Sequence, residues 1–106
     1  MSTWIYSNFA PNGMAGMIST EIVVKNKTGI HARPAVVIVE VASKFESEIF
    51  FTKDDERANA KSIMGLLLLA AEPGSTILVE IEGPDQEQAL RAIENLFASD
   101  FHHEAD

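Results

Sequence analysis

The sequence predicts an α+β domain in which a four-stranded, mainly antiparallel sheet is covered on one face by three helices. Apolar residues alternate singly in some stretches and recur every three to four positions in others, which gives the order β-α-β-β-α-β-α. A hairpin occupies the middle of that order and helices separate the remaining strands. Such an arrangement leaves one sheet face for the helices and one for solvent. At 106 residues the chain has room for a single core, burying roughly 60 to 70% of its unfolded surface.

Residues 18–25 are rich in β-branched side chains and read as a first strand, with Ile18, Thr20, Ile22 and Val24 on one face. Asn26 and Gly29 bracket a turn. Over residues 32–45 propensity and periodicity conflict. Val36-Val37-Ile38-Val39 is strand-like, whereas Ala35, Ile38, Val39, Ala42 and Phe45 recur at helical spacing; the span is long for a strand, so a helix is expected. Residues 48–52 and 57–60 form strands joined by the polar turn Lys53-Asp54-Asp55-Glu56. Ser62 is a natural N-cap for a helix over 63–71, which Pro73-Gly74 stops. Residues 76–82 alternate cleanly as a fourth strand. Gly83-Pro84-Asp85 then opens a last helix whose apolar stripe is Ala89, Ala92, Ile93, Leu96 and Phe97. From Ser99 onward the chain is polar and expected to fray.

Residues 1–17 show neither periodicity and lack the basic start and apolar run of a signal peptide. They read as a disordered or non-native N-terminal extension, with Met14 and Met17 as alternative starts. Trp4, Ile5, Tyr6 and Phe9 leave open a docking role for it. The domain proper is expected over 18–106.

Composition narrows the function. The net charge of −8 argues against nucleic-acid binding, which needs a basic face. No run approaches the roughly 18 apolar residues of a membrane span, and a cytoplasmic protein is expected. There is no cysteine, hence no disulfide or thiolate metal site. Charge is distributed unevenly: residues 18–61 carry seven acids and seven bases, and residues 62–106 carry nine acids against Arg91 alone. Lys25, Lys27, Arg33, Lys44 and Lys61 therefore share one half of the chain and could steer an acidic partner or a phosphoryl group toward it.

That half holds the stretch Thr28-Gly29-Ile30-His31-Ala32-Arg33-Pro34-Ala35. A glycine-loosened turn delivers His31 to the opening of a helix. The unpaired N–H groups and positive dipole end there attract phosphate-like charge. Histidine adds a nucleophile that titrates near neutrality, Arg33 a cationic fork suited to phosphate oxygens, and Pro34 is tolerated in a first turn because its missing N–H has no intrahelical partner. A lone histidine at such a place is more often a cap or a surface residue without chemistry. His102 and His103 lie among acids near the terminus and read as solvated, with no metal expected. Asp54-Asp55-Glu56 lack the apolar shielding that would split carboxylate pKa values for acid–base work.

The octapeptide resembles the active-site segment of the HPr family, the histidine phosphocarriers of the bacterial phosphoenolpyruvate-dependent phosphotransferase system. Asn59-Ala60-Lys61-Ser62-Ile63-Met64-Gly65-Leu66 resembles the family's second hallmark, at the usual separation from the first. The resemblance covers about residues 17–101 and implies an open-faced β-sandwich. It implies that the Nδ1 (pros) nitrogen of His31 accepts a phosphoryl group from phosphorylated enzyme I and passes it to an enzyme IIA, with the backbone N–H groups of Ala32 and Arg33 and the Arg33 guanidinium receiving the phosphate oxygens. The chain would then be a substrate of other enzymes rather than a catalyst, a monomer without cofactor.

Ser62 matches the family's regulatory serine, the target of HPr kinase/phosphorylase where that enzyme exists. Ile63, Met64, Leu66 and Lys44 are the candidate partner-docking residues, with core burial the competing reading, strongest for Leu66 and Leu69. Three rivals stay open. Gly65-Leu66-Leu67-Leu68-Leu69 and Gly83-Pro84 fit the nitrogen-regulatory paralogue about as well as the sugar-transport branch. A small adaptor could bind through Ile63 and Met64 without carrying phosphate, and a small phosphoramidate-cleaving enzyme could use His31. Glu40, on the helix that follows His31, departs from the usual family pattern, as does the heavily acidic second half.

Overall fold

The structure, a computed structural model, describes residues 16–101. Its elements are β1 (Ile18–Val23), α1 (Ala32–Ala42), β2 (Glu48–Lys53), β3 (Glu56–Asn59), α2 (Ile63–Leu69), β4 (Thr76–Glu82) and α3 (Gln86–Ala98), in the order expected. The strands lie β1-β4-β2-β3, every neighbouring pair antiparallel. The register sets Ile49 opposite Ile81 and Phe51 opposite Val79. Alternation then sends Ile49, Phe51, Ile77, Val79 and Ile81 to one face, where all five are fully buried in the core shared with the helices. The opposite face stays open. There the Arg57 guanidinium lies 4.1 Å from the Phe50 ring centroid and 3.6 Å from Glu80.

The valine-rich run resolves as helix α1 because Ala35, Ile38 and Ala42 make a wholly buried stripe at i, i+3 and i+7. It ends three residues before the expected Phe45, which lies half-buried against the core beyond the last turn. Helix α2 also ends early. Ala70 takes a left-handed conformation, φ 54 and ψ 45, and its N–H bonds to the Leu67 carbonyl, so the helix closes at Leu69 before Pro73 is reached.

The fraying expected from Ser99 onward is corrected by the structure, and the first described residue is also held. Gly16 is buried, and its carbonyl accepts a 3.0 Å hydrogen bond from Gln86 Nε2; of the extension expected over 1–17, residues 1–15 lie outside the described residues. At the other end, the N–H of Asp100 bonds to Phe97 O and that of Phe101 to Leu96 O, with Asp100 at φ 58. This paired closure of a helix C-terminus brings Phe101 back onto the core, with its ring 4.8 Å from that of Phe97. Phe101 is only 8% exposed. His102 and His103 lie outside the described residues.

One polar clamp joins the two ends of the sheet connections. The Asp85 carboxylate accepts from Ser47 Oγ at 2.5 Å and from the N–H groups of Ser47 and Glu46 at 3.0 Å. The turn before it must carry Gly83: its φ is +155, and a Cβ there would lie 2.5 Å from the Ser47 Cα. The Ser47 hydroxyl, then the Glu46 N–H, hold the Asp85 carboxyl below its ordinary value of 3.8. A depressed carboxyl pKa contributes stability that is present above the unfolded value and lost as pH falls through the folded one. Asp85→Ala is therefore expected to lower the thermal midpoint at neutral pH. In melts across pH, that deficit should close as pH drops through 3.8 and below.

Candidate functional site

The loop carrying His31 is fixed by backbone contacts. Asn26 Nδ2 donates to the Gly29 carbonyl at 2.7 Å, and the Gly29 N–H returns to the Asn26 carbonyl at 3.3 Å. Gly29 has φ +70, and a Cβ on it would sit 2.3 Å from the Ala71 carbonyl oxygen, so only glycine fits. The next residue uses that same oxygen: the Ile30 N–H donates to it at 2.9 Å while the Ile30 side chain is buried. His31 follows in extended conformation as the residue before α1, φ −130 and ψ −156, with its side chain exposed and no capping bond from it to the helix.

The Ala35 N–H takes the His31 carbonyl at 2.8 Å, and Pro34 has no N–H to satisfy. The N–H groups of Ala32 and Arg33 therefore stand without partners among the described residues, as helix geometry dictates. The exposed Arg33 makes no ion pair among the described residues. His31, Arg33 and Pro34 line a cavity of about 510 Å³ with Asn26, Lys27, Thr28, Asp100 and Phe101.

The imidazole itself is oriented by a residue to which the sequence reading gave no role. Thr28 Oγ1 lies 2.6 Å from His31 Nε2, and Nδ1 has no protein partner among the described residues. If Nε2 carries the proton and Thr28 accepts it, Nδ1 presents a lone pair. The signal for Thr28 lay in its position three residues before His31 across a glycine turn. Asp100 and Phe101, which wall the same cavity, were hidden within a polar tail; the aromatic at i+4 from Phe97 was their only sign.

The second motif lands beside the first. Ser62 is the N-cap of α2, its Oγ accepting from the Gly65 N–H at 3.0 Å. Helix α2 packs against α1. Ile63 and Met64 project outward, 42% and 64% exposed. Leu66 does not: it is wholly buried on the inward face of α2 and is unavailable to a partner. The outward apolar surface of that turn comes instead from Leu67 and Leu68. Lys44 is exposed but lies past the far end of α1, along a groove lined also by Val41, Phe45, Ala92 and Leu96. Lys61 is engaged in the fold, with Nζ donating to the Phe45 carbonyl at 2.7 Å.

Fold and site together define a class: small open-faced α+β sandwiches that present an exposed histidine at the start of the first helix. The family model described as "PTS HPr component phosphorylation site" matches residues 18–99. A phosphocarrier protein HPr from Treponema pallidum (strain Nichols) is 48% identical over 88 residues, 83% of this chain and 100% of that protein. An HPr-like protein Crh from Halalkalibacterium halodurans is 49% identical over 77 residues, 73% of this chain and 92% of that one. A crystal structure of HPr from Thermoanaerobacter tengcongensis superposes with a TM-score of 0.77 at 45% identity, covering 81% of this chain and 97% of that one. The chain belongs to the HPr family, the phosphocarrier proteins of the bacterial phosphotransferase system.

Thr28→Val removes the hydroxyl at Nε2 while keeping the volume, and as an exposed change should alter stability by less than about 1 kcal/mol. Nitrogen-15 shifts of the neutral ring are expected to show the Nε2–H form dominant in the wild type and reduced in the variant.

Proposed function

We propose that this chain carries a phosphoryl group on Nδ1 of His31 between phosphorylated enzyme I and an enzyme IIA. The observation that supports it is an exposed imidazole with one nitrogen held by Thr28 and the other without a partner among the described residues, on the residue that precedes the unpartnered N–H groups of Ala32 and Arg33 at the start of α1. In the loading step the Nδ1 lone pair forms the bond to phosphorus while the bond to the donor's leaving atom breaks. The ring proton stays on Nε2, and no separate base is required. The N–H groups of Ala32 and Arg33 and the Arg33 guanidinium take the equatorial oxygens, supplying the positioning and charge stabilisation on which phosphoryl transfer depends. A helix-end contribution of at most about 2 kcal/mol holds the group without trapping it, as a carrier requires. The ring's exposure also suits release, since an acceptor protein can approach it in line.

Docking is assigned to Ile63 and Met64, extended by Leu67 and Leu68, which give a partner apolar area next to the histidine's helix. Ser62 is the proposed regulatory site for an HPr kinase/phosphorylase. A phosphate there would add charge beside that apolar surface and oppose docking. The protein is proposed to work as a cytoplasmic monomer; among the described residues no helix is long and apolar enough to cross a membrane.

The test is incubation with labelled phosphoenolpyruvate and enzyme I of the sugar-transport or the nitrogen-regulatory branch. Acid-labile label is expected with the sugar-branch enzyme and absent in His31→Ala. Label retained in that variant, or product released catalytically, would overturn the carrier reading, and labelling by the nitrogen-branch enzyme alone would reassign the branch. At Ser62 two variants separate cap from switch. Ser62→Ala should cost about 1 kcal/mol of stability in urea and leave transfer intact. Ser62→Asp, which keeps a capping oxygen, should fold normally and slow transfer through a raised KM.

A further inference from the structure

Resting on the carrier reading above, we infer that Glu40 selects the phosphoryl-donor protein: the docking face of this chain needs a cation on the donor opposite Glu40. Arg33, Val36 and Glu40 stand at i, i+3 and i+7 on the outward face of α1, and all three are exposed. Val36 is 40% exposed. The Glu40 carboxylate makes no hydrogen bond or ion pair among the described residues, and Lys44, four residues on, lies past the end of α1 and does not pair with it. The outward stripe of α1 thus reads cation, apolar, anion, beginning two residues after His31.

A protein that reaches His31 in line and covers Val36 comes within one helical turn, about 6 Å, of the Glu40 carboxylate. Excluding water from that carboxylate without a counter-charge costs more than the apolar contact returns. The complementary surface therefore carries an acid toward Arg33 and a lysine or arginine about 10 Å further along, the rise of seven helical residues. A donor acidic throughout this region meets like charge at Glu40 and is rejected, so the residue discriminates between donors that would otherwise fit the same helix. Glu40 lies further along the helix than the Debye length of about 8 Å at physiological salt. It should therefore act on docking and leave the chemistry at His31 alone.

The experiment measures phosphorylation of the wild type, Glu40→Gln and Glu40→Lys by enzyme I from the same organism, with phosphoenolpyruvate as the source. Glu, Gln and Lys have similar helix propensities, and thermal melts confirm that the variants fold. Expected is a KM raised about threefold in Glu40→Gln and about tenfold in Glu40→Lys, with kcat unchanged and both effects shrinking as salt rises. Reversing one basic residue of that enzyme I to glutamate should restore Glu40→Lys. An unchanged or lowered KM in Glu40→Lys, or no such restoring reversal, would overturn the inference while leaving His31 as the acceptor. A wild-type chain that takes no label would sink the carrier reading and this inference with it.

Discussion

The Ala71 carbonyl is the point on which the site depends. It accepts the Ile30 N–H at 2.9 Å and leaves no room for a side chain on Gly29. These two contacts fix the backbone immediately before His31, so the imidazole is delivered by a braced loop. With Ile30 buried and Asn26 bonded to the Gly29 carbonyl, the direction in which the chain enters α1 is set before the helix begins. The N–H groups of Ala32 and Arg33, without partners among the described residues, open the helix directly after His31.

This bracing places the two hallmark segments in one mechanical unit. Ser62 caps the start of α2, and the left-handed turn at Ala70 that ends α2 leads straight into Ala71. The same seven-residue helix thus has the serine at one end and the support of the histidine loop at the other, and it packs against α1 along the way. Its outward residues, Ile63, Met64, Leu67 and Leu68, leave apolar area exposed, while Leu66 and Leu69 anchor the helix in the core.

Much of this was legible in the residues. Alternation gave β4 its full length, Thr76–Glu82, and the stripe of Ala89, Ile93, Leu96 and Phe97 gave α3, because burial on one face leaves a period in the sequence. Helix α1 was legible despite its valines, since Ala35, Ile38 and Ala42 repeat at a spacing no strand can bury on one side. The early end of α2 was not. A left-handed alanine costs about 1 to 2 kcal/mol locally and leaves no compositional mark, whereas Pro73-Gly74 is a helix stop written in residue type further downstream. Phe101 was missed because its burial depends on a paired hydrogen-bond closure in which aspartate stands where glycine is usual. At the site, His31, Arg33 and Ser62 carried their own chemistry. Thr28 and Ala71 act through a side chain crossing a turn and through a backbone oxygen, and neither kind of role is written in residue type.

The loop is proposed to present Nδ1 of His31 to the phosphoryl donor. Phosphorus–nitrogen coupling in the phosphorylated, nitrogen-15-labelled chain tests it most directly. Coupling is expected to Nδ1 of His31, with Nε2 still protonated and facing Thr28. Coupling to Nε2, or a phosphoryl group on His102 or His103, would contradict it.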